Sequence, residues 1–390
     1  MERIWEYPLI TDEHSEDYHY EAPIILHGGR VYFAQTRIHM IDFHIIDSQT
    51  GKGCIHSFPH PRSWLAFALP HDYFAFIHKN RVIYYAGDLI MAEGGQIVRT
   101  MKLPEKVRFH LVCGNHLLVA CDKLYGIDLD TFSIAWTQEL TCGKMYDTGD
   151  LAHFGRLVSC YGQDQLLFIE PESGRITDSL RLPRIDKLYH PIALDNDTLL
   201  IGYTNWTNAG VLKYQRSTER IVWRHRRRFE GPQLNCRIWH EGNRVYWVKG
   251  ETELICLSDE TGEELFHLRT VPWLYTGLQF LDGCILYGTA GANGYINCLD
   301  ARSGQMRWSA ALKNGCEYYA VSGSTVLTGD FSKNVTRFSL RDGKVVDQLH
   351  LDGKVVGRIV TDGRHVYTVI WAREGKPVRL VRISLSQDDA

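Results

Sequence analysis

Tyrosine, histidine and arginine recur at comparable places along the 390-residue chain, just before apolar segments that read as β-strands. Tyr or His can move a proton to or from a substrate, and Arg can neutralise a carboxylate. If these side chains converge, the chemistry they favour is β-elimination or hydrolysis on an acidic sugar. The candidates for proton transfer are Tyr189, His190 and His110, and those for ligand binding are Arg108, Arg237, Tyr275, Tyr318, Trp64 and His19.

The same positions also have a purely structural interpretation. Aromatic rings there would pack between neighbouring sheets, and the charged groups would face water. No spacing in the sequence proves that the candidates meet at one point. A rigid scaffold that presents variable loops is then the simpler function, with a concave polar and aromatic face as its ligand site.

A basic run, RHRRR, occupies residues 224–228. Such runs can bind phosphate or other anions. Side chains alternate between the two faces of a strand, so the four arginines cannot all share one surface. Glu230 also weakens the positive field. We interpret the run as a solvated sheet edge, with an anionic partner as the alternative.

Composition limits the function classes. The formal net charge is −3, which gives no overall attraction to nucleic acid or anionic lipid. No apolar stretch approaches the length of a membrane span, and the N-terminal residues lack the apolar region of a signal peptide. We therefore expect a cytoplasmic protein that binds neither nucleic acid nor membrane and is a monomer.

The ten cysteines include no C-x-x-C pair, and several lie in apolar strand patterns. They are expected to be free thiols in a reducing compartment. The 18 histidines form no pair of metal-binding spacing with a carboxylate on a common face. Neither a phosphate-binding loop nor a nucleophile elbow is present. We expect no metal.

The strands that must position the candidate residues belong to a pattern that repeats along the sequence. A template of apolar strand, turn with Asp and Gly, and aromatic-anchored strand is clearest at residues 294–312 and recurs along the chain. Another hairpin precedes each copy, and the second strands of successive hairpins start 40 to 46 residues apart. This is the period of a four-stranded propeller blade. The repeats start near residues 22, 63, 107, 149, 189, 236, 276, 317 and 356.

The repeat count predicts an all-β fold: one closed β-propeller domain over residues 1–390 with nine four-stranded blades. Eight blades is the alternative, because residues 63–103 follow the template poorly. The last repeat lacks its fourth strand, and residues 1–10 have the form of that strand. We therefore predict that the N-terminal strand completes the last blade and closes the ring.

The segments LDARSGQMRW, IDLDTFSIAW and LSDETGEELF resemble the pyrroloquinoline-quinone-type repeat of quinoprotein-like β-propellers. The resemblance implies the fold but does not choose among dehydrogenases, assembly scaffolds, sensors and polysaccharide-processing enzymes. A quinoprotein dehydrogenase of this type would hold calcium and the quinone in an axial funnel. We expect no cofactor here, and we interpret Trp136, Trp223 and Trp308 as packing anchors between blades.

The preferred hypothesis is a binding platform that recognises a protein segment or a small anionic ligand on its axial face. The alternative is a carbohydrate-active enzyme, a polysaccharide or glycoside lyase acting on an acidic sugar through the Tyr, His and Arg residues. A quinone-dependent dehydrogenase is a minor alternative.

Overall fold

The structure, a computed structural model, describes residues 1–9, 22–36, 40–59, 74–104, 107–140, 150–162, 165–182, 185–205, 207–228, 236–250, 252–269, 277–289, 293–313, 318–329, 333–371 and 378–385. All regular elements within these ranges are β-strands. No helix that could span a membrane occurs in the part of the chain they cover. The chain divides into two compact units, Met1–Leu103 with Pro272–Ala301 and Gln305–Ala390, and Pro104–Val271 with Arg302–Gly304.

The strands form nine antiparallel sheets, which are numbered here as blades in chain order. The first strand of the chain, β1 (Glu2–Pro8), belongs to the last sheet. Blade 1 comprises β2 (Ile25–His27), β3 (Arg30–Thr36), β4 (Met40–Asp47) and β5 (Gly53–Pro59). Blade 2 comprises β6 (Phe74–His78), β7 (Arg81–Ala86), β8 (Asp88–Glu93) and β9 (Gln96–Lys102).

The second unit contains blades 3 to 6. Blade 3 comprises β10 (Phe109–Cys113), β11 (His116–Ala120), β12 (Lys123–Asp128) and β13 (Ser133–Glu139). Blade 4 comprises β14 (Asp150–Phe154), β15 (Leu157–Gly162), β16 (Gln165–Ile169) and β17 (Ile176–Arg181). Blade 5 comprises β18 (Lys187–Ala193), β19 (Thr198–Asn205), β20 (Asn208–Gln215) and β21 (Arg220–Arg228). Blade 6 comprises β22 (Cys236–Glu241), β23 (Arg244–Lys249), β24 (Glu253–Ser258) and β25 (Glu264–Arg269).

The last three blades return to the first unit. Blade 7 comprises β26 (Gln279–Leu281), β27 (Cys284–Gly288), β28 (Asn293–Asp300) and β29 (Met306–Lys313). Blade 8 comprises β30 (Tyr318–Ser322), β31 (Thr325–Gly329), β32 (Asn334–Ser339) and β33 (Val345–His350). Blade 9 comprises the short β34 (Lys354–Val355) and β35 (Val360–Thr361), then β36 (His365–Trp371), β37 (Arg379–Ser384) and β1.

The fold class is thus an all-β, nine-bladed β-propeller, and the N-terminal strand supplies the fourth strand of the last blade. Both predictions are confirmed. Strand β1 pairs antiparallel with β37, with Glu2 opposite Ser384 and Pro8 opposite Arg379. The single-domain organisation stays a prediction.

The second repeat forms a blade although it departs from the template. Strands β8 and β9 are joined by only two residues, Gly94 and Gly95, with φ of 58° and 83°. Two consecutive positive φ values suit a tight hairpin, and glycine adopts them without strain. The segment that deviates from the template is therefore a third strand with a shorter turn, which supports nine blades rather than eight.

In the better copies the Asp of the turn organises the loop through its side chain. The Asp128 carboxylate accepts hydrogen bonds from the backbone N–H of Asp130 at 2.9 Å and of Thr131 at 2.7 Å, and from the Thr131 hydroxyl at 3.0 Å. Asp47 makes the equivalent bonds to Thr50. These hydrogen bonds lower the pKa of both aspartates, chiefly through the Thr backbone N–H.

The tryptophan anchors join one blade to the next. The Trp136 indole of blade 3 donates a hydrogen bond to the Pro171 carbonyl of blade 4 at 2.9 Å, and Trp223 of blade 5 donates to Asp259 of blade 6 at 2.8 Å. A Cβ added at Gly174 would lie 2.4 Å from Trp136, so the indole needs glycine beneath it. Trp136 and Trp223 are packing anchors, as their repeats predicted.

The apolar faces of successive blades pack together in the second unit, and the first strands of these blades lie side by side. In the second unit β10 contacts β14, β14 contacts β18 and β18 contacts β22. The core of this unit includes Leu212, Ile201 and Phe168, each at most 1 % exposed. This packing determines which strand faces remain available to a ligand.

Candidate functional site

Three of the predicted ligand-binding residues, His19, Trp64 and Tyr275, lie outside the described residues. His190 falls within β18, but its side chain lies outside the described part of the structure. Tyr318 begins β30 and is partly buried, where it packs against the apolar cluster of blades 8 and 9. The roles of these residues stay predictions.

The remaining candidates lie on or next to the first strands of the second unit. Arg108 precedes β10 and pairs with Asp122, its Nη2 lying 2.5 Å from Oδ1. His110 is exposed on β10, and Arg237 is exposed on β22. Strand β14 separates β10 from β18, whereas β18 and β22 are neighbours. Of these candidates, the fold places Tyr189 and Arg237 on adjacent strands.

Tyr189, the first candidate for proton transfer, lies in a hydrophobic cluster. Its side chain is 5 % exposed and belongs to the same buried cluster as Ile238 and Trp247. A tyrosine in such a cluster contributes packing. The lyase alternative gains no support from this position and stays a prediction.

The best-defined surface feature of the second unit is β21, the fourth strand of blade 5. This nine-residue strand carries five arginines, and its only strand neighbour within the described part of the chain is β20. Its register contains a bulge, because Lys213 faces Trp223 while Tyr214 faces Ile221. Val222 is the extra residue and is 52 % exposed. Beyond the bulge the strand alternates regularly between two faces.

One face of β21 packs against blade 6. Trp223 is 9 % exposed and covers Gly262, where an added Cβ would lie 2.6 Å from the indole. Further along, Arg227 pairs with Glu264, and His225 Nε2 lies 3.8 Å from the same carboxylate. Burial lowers the pKa of His225, although Glu264 acts to raise it. This face is therefore occupied.

The opposite face presents Arg224, Arg226 and Arg228, all exposed. The Arg224 guanidinium carbon lies 5.1 Å from the centroid of the Tyr203 ring, a cation–π contact. Among the residues that the structure describes, no carboxylate pairs with any of the three arginines. We call this face the arginine stripe.

The alternation that defines the arginine stripe was part of the sequence argument, but the stripe was not among the predicted site residues. The sequence argument did not establish which alternate residues of the strand point toward the next blade. Trp223 is an anchor that must point at the next blade, so residues 225 and 227 follow it inward and residues 224, 226 and 228 point away.

A second cluster of charged groups lies at one end of blade 6. Lys249, with a 6 % exposed side chain, donates to Glu253 at 2.8 Å, and His267 Nε2 lies 3.1 Å from the other Glu253 oxygen. Each group has a partner, so the cluster reads as structural. Across the described ranges, no group of three His, Cys, Asp or Glu side chains could hold a metal ion.

The three tryptophan anchors do not fit the quinone cofactor that gives the repeat its name. Trp136, Trp223 and Trp308 each donate their indole N–H to a backbone carbonyl of the next blade, at 2.8 to 2.9 Å. Their rings cover turn glycines. Indoles held in this way cannot stack on a flat cofactor, so no chemistry through a quinone is derived.

Comparison with known proteins agrees with the fold. A family model described as outer membrane protein assembly factor BamB matches residues 207–349 and 292–384. Among solved structures, BamB from Moraxella catarrhalis is similar with a TM-score of 0.56 and 15 % identity, over 81 % of this chain and 97 % of that one. No curated protein matches by sequence.

Two further structures are similar to the same degree. The computationally designed Ika8 protein has a TM-score of 0.56 and 15 % identity, over 80 % of this chain and 95 % of its own. Quinohemoprotein alcohol dehydrogenase from Comamonas testosteroni has a TM-score of 0.56 and 10 % identity, over 100 % of this chain and 77 % of its own. At these identities the likeness concerns the fold alone.

Proposed function

Because the chain is a β-propeller built from repeats of the pyrroloquinoline-quinone type, we propose that it is a binding platform that recognises a segment of another protein. A similar solved structure and the matching family model both carry the name of an assembly factor. A name of this kind suggests a protein-interaction scaffold and leaves the partner open. The surface of the chain must therefore indicate where a partner binds.

The observation that carries the proposal is the distribution of exposed apolar side chains. Within the described ranges, all but Ile77 of the large exposed hydrophobic residues lie on fourth strands. Several are the extra residues of bulges, such as Val98, Val222, Leu265 and Val346, which are 41 to 52 % exposed. Contiguous exposed apolar groups mark protein interaction surfaces, and adjacent pairs of them occur on β21, as Ile221 and Val222, and on β33, as Val345 and Val346.

A small anionic ligand at the first strands is a second candidate. Arg237 on β22 is exposed, and no carboxylate pairs with it within the described part of the chain. Arg108 is less suited, because Asp122 already neutralises it. An Arg237→Ala variant that loses binding of a carboxylate ligand, with unchanged thermal unfolding, would support this location.

The main proposal is tested by selection from a random peptide display library against the purified full chain. We expect enriched sequences that bind with micromolar or better dissociation constants. Val222→Ser should weaken the binders that use β21 by about fivefold or more, the loss of a well-placed apolar contact. Ile77→Ser is the matched control, since Ile77 is 48 % exposed on a first strand and Val222 is 52 % exposed on a fourth strand.

The proposal fails if no peptide is enriched above an unrelated β-propeller treated identically. It also fails if the enriched peptides lose affinity with Ile77→Ser as strongly as with substitutions on the fourth strands. Circular dichroism and the melting temperature of each variant establish that any loss of affinity does not come from unfolding.

A further inference from the structure

We propose that the free edge of β21 binds an acidic, extended segment of a partner protein, which adds to blade 5 as a fifth strand. This inference rests on the proposed function and names the partner's chemistry. The segment would carry Asp or Glu at three alternate positions. The arginine stripe would form ion pairs with those carboxylates. The backbone of β21 would form the hydrogen bonds of strand pairing with the segment.

The edge of β21 is available for pairing. The sheet order of blade 5 is β18-β19-β20-β21, so β21 is the last strand within the described residues. Alternate backbone N–H and C=O groups of an edge strand point away from its neighbour and can pair with an added chain. With nine residues, β21 is also longer than any other described fourth strand. Added-strand recognition gains affinity from this backbone pairing.

The arginine stripe has the spacing that such a strand requires. Alternate residues of a strand lie about 7 Å apart on one face. Residues directly opposite each other on adjacent strands share a face, with Cβ atoms about 5 Å apart. Carboxylates at positions i, i+2 and i+4 of the added strand would therefore face Arg228, Arg226 and Arg224 in turn if that strand is antiparallel. Arg–carboxylate pairs can be bidentate, which adds specificity.

The contacts around β21 keep the arginine stripe exposed and fix its orientation. The other face of β21 is held by Trp223 against Gly262 and by Arg227 against Glu264, so the strand cannot rotate to hide the stripe. Contact with Tyr203 orients Arg224. On the fourth strand of blade 4, Asp178 is engaged by Arg216 at 2.9 Å.

The high number of basic residues is specific to β21. The other fourth strands carry at most two Lys or Arg residues each, and β5 carries none. The chain as a whole has a net charge of −3. Five arginines in one nine-residue edge strand therefore form a local positive site on a slightly acidic protein, which an acidic segment complements.

The probe is a fluorescein-labelled nine-residue peptide in which Glu and Thr alternate, with binding to the full chain followed by fluorescence polarisation. The test variant is R224E/R226E/R228E. Its matched control is K102E/R269E/K313E, which makes the same change in net charge at exposed basic residues of β9, β25 and β29. We expect the test variant to weaken binding at least tenfold and the control less than threefold.

Backbone pairing is tested separately with two N-methylated peptides. Methylation of the amides that face β21 should abolish binding, and methylation of the alternate amides should leave it within threefold. Either set of alternate amides could face β21. The proposal therefore predicts that the two methylated peptides bind with different affinities. Equal binding of both peptides would overturn the proposal.

Four other outcomes would also overturn it. An equal loss of affinity in the control variant would mean that only net charge matters. Tighter binding of single-stranded DNA or polyphosphate than of the peptide, abolished in the test variant, would assign the stripe to a polyanion. Unchanged peptide binding with new oligomers of the test variant would mean that the arginines only protect the edge from association. A display selection that yields apolar, uncharged binders would end this inference and leave the proposed function intact.

Discussion

The indole of Trp308 on β29 lies over Gly343 in the turn of the following blade and donates its N–H to the Leu340 carbonyl at 2.8 Å. The turn glycine thus serves two purposes. It adopts a φ of 68°, which side chains with a Cβ disfavour, and it leaves room for the indole. Blade packing therefore depends on the turn as well as on the strands.

Replacing Gly343 with Ala should destabilise the protein by about 3 kcal/mol, the sum of a left-handed backbone penalty and steric overlap with an indole. The added Cβ would lie 2.6 Å from Trp308. Gly323→Ala is the control, because Gly323 has a φ of 54° and nothing within 4 Å of an added Cβ. It should cost only about 1 kcal/mol. Chemical denaturation measures the free energy of unfolding of both variants. Equal losses of stability would contradict the role of the indole.

A second prediction concerns β1, the N-terminal strand that completes blade 9. Trp5 on β1 covers Gly51 of blade 1 and donates to the Ser48 carbonyl at 3.0 Å. Trp5→Ala should cost about 3 kcal/mol, as expected for truncation of a large packed aromatic. Ile4→Ala in the same strand should cost less than about 0.5 kcal/mol, the usual effect of a surface change, because Ile4 is 46 % exposed. A melting temperature that is unchanged by Trp5→Ala would refute the closure contact.

Glu253 should contribute a pH-dependent part of the stability. Burial acts to raise its pKa, but the hydrogen bond and charge of Lys249, with His267, outweigh burial and lower it. A lowered pKa in the folded state means that the contribution is complete above the unfolded value of about 4.3 and is lost as the pH falls through the folded pKa. Urea unfolding of the wild type from pH 3 to 7 should show this loss.

Glu253→Gln should flatten that pH dependence and destabilise the protein by about 3 kcal/mol at pH 7, because it leaves Lys249 buried beside a neutral amide. Glu139→Gln is the matched control. Glu139 is 72 % exposed and pairs with Lys123 at 2.6 Å, an exposed ion pair worth about 0–1 kcal/mol. Equal effects of the two substitutions at pH 7 would show that burial of Lys249 has no energetic role.

Thiol reactivity should separate two classes of cysteine. Cys54 is exposed, whereas Cys298 is fully buried and burial raises its pKa to about 12. Since the thiolate is the reactive form, N-ethylmaleimide should label Cys54 in the native protein and label Cys298 only after unfolding. Peptide mapping by mass spectrometry measures both sites. Rapid native labelling of Cys298 would contradict its burial.

The blade count and the closing strand could be predicted from the sequence, because repeats make the same local pattern visible nine times. The indole contacts followed from the same template. What could not be predicted were contacts formed by residues that break it. In blade 4, Asp178 stands where blades 3, 5 and 7 have a tryptophan, and it binds Arg216 of blade 5 at 2.9 Å. No template specifies such a pair.

The candidate site was harder to predict for a related reason. Tyr189 and Arg237 lie on neighbouring first strands, as the repeats required, yet burial separates their environments. Tyr189 packs with Ile238 and Trp247, whereas Arg237 is exposed. Periodicity gives the strand on which a residue lies. The face it presents depends on packing between sheets that are distant in the sequence.

The pairing of β1 with β37 has a consequence for how the protein is made. Glu6 and Arg379 form an ion pair at 2.8 Å although they are 373 positions apart in the chain. During synthesis β1 leaves the ribosome before the other described strands and must wait for β37, which follows all of them. The other eight blades have all their strands before then. Blade 9 is therefore completed after the other eight blades, and until then β1 is an unpaired strand that other nascent chains can capture.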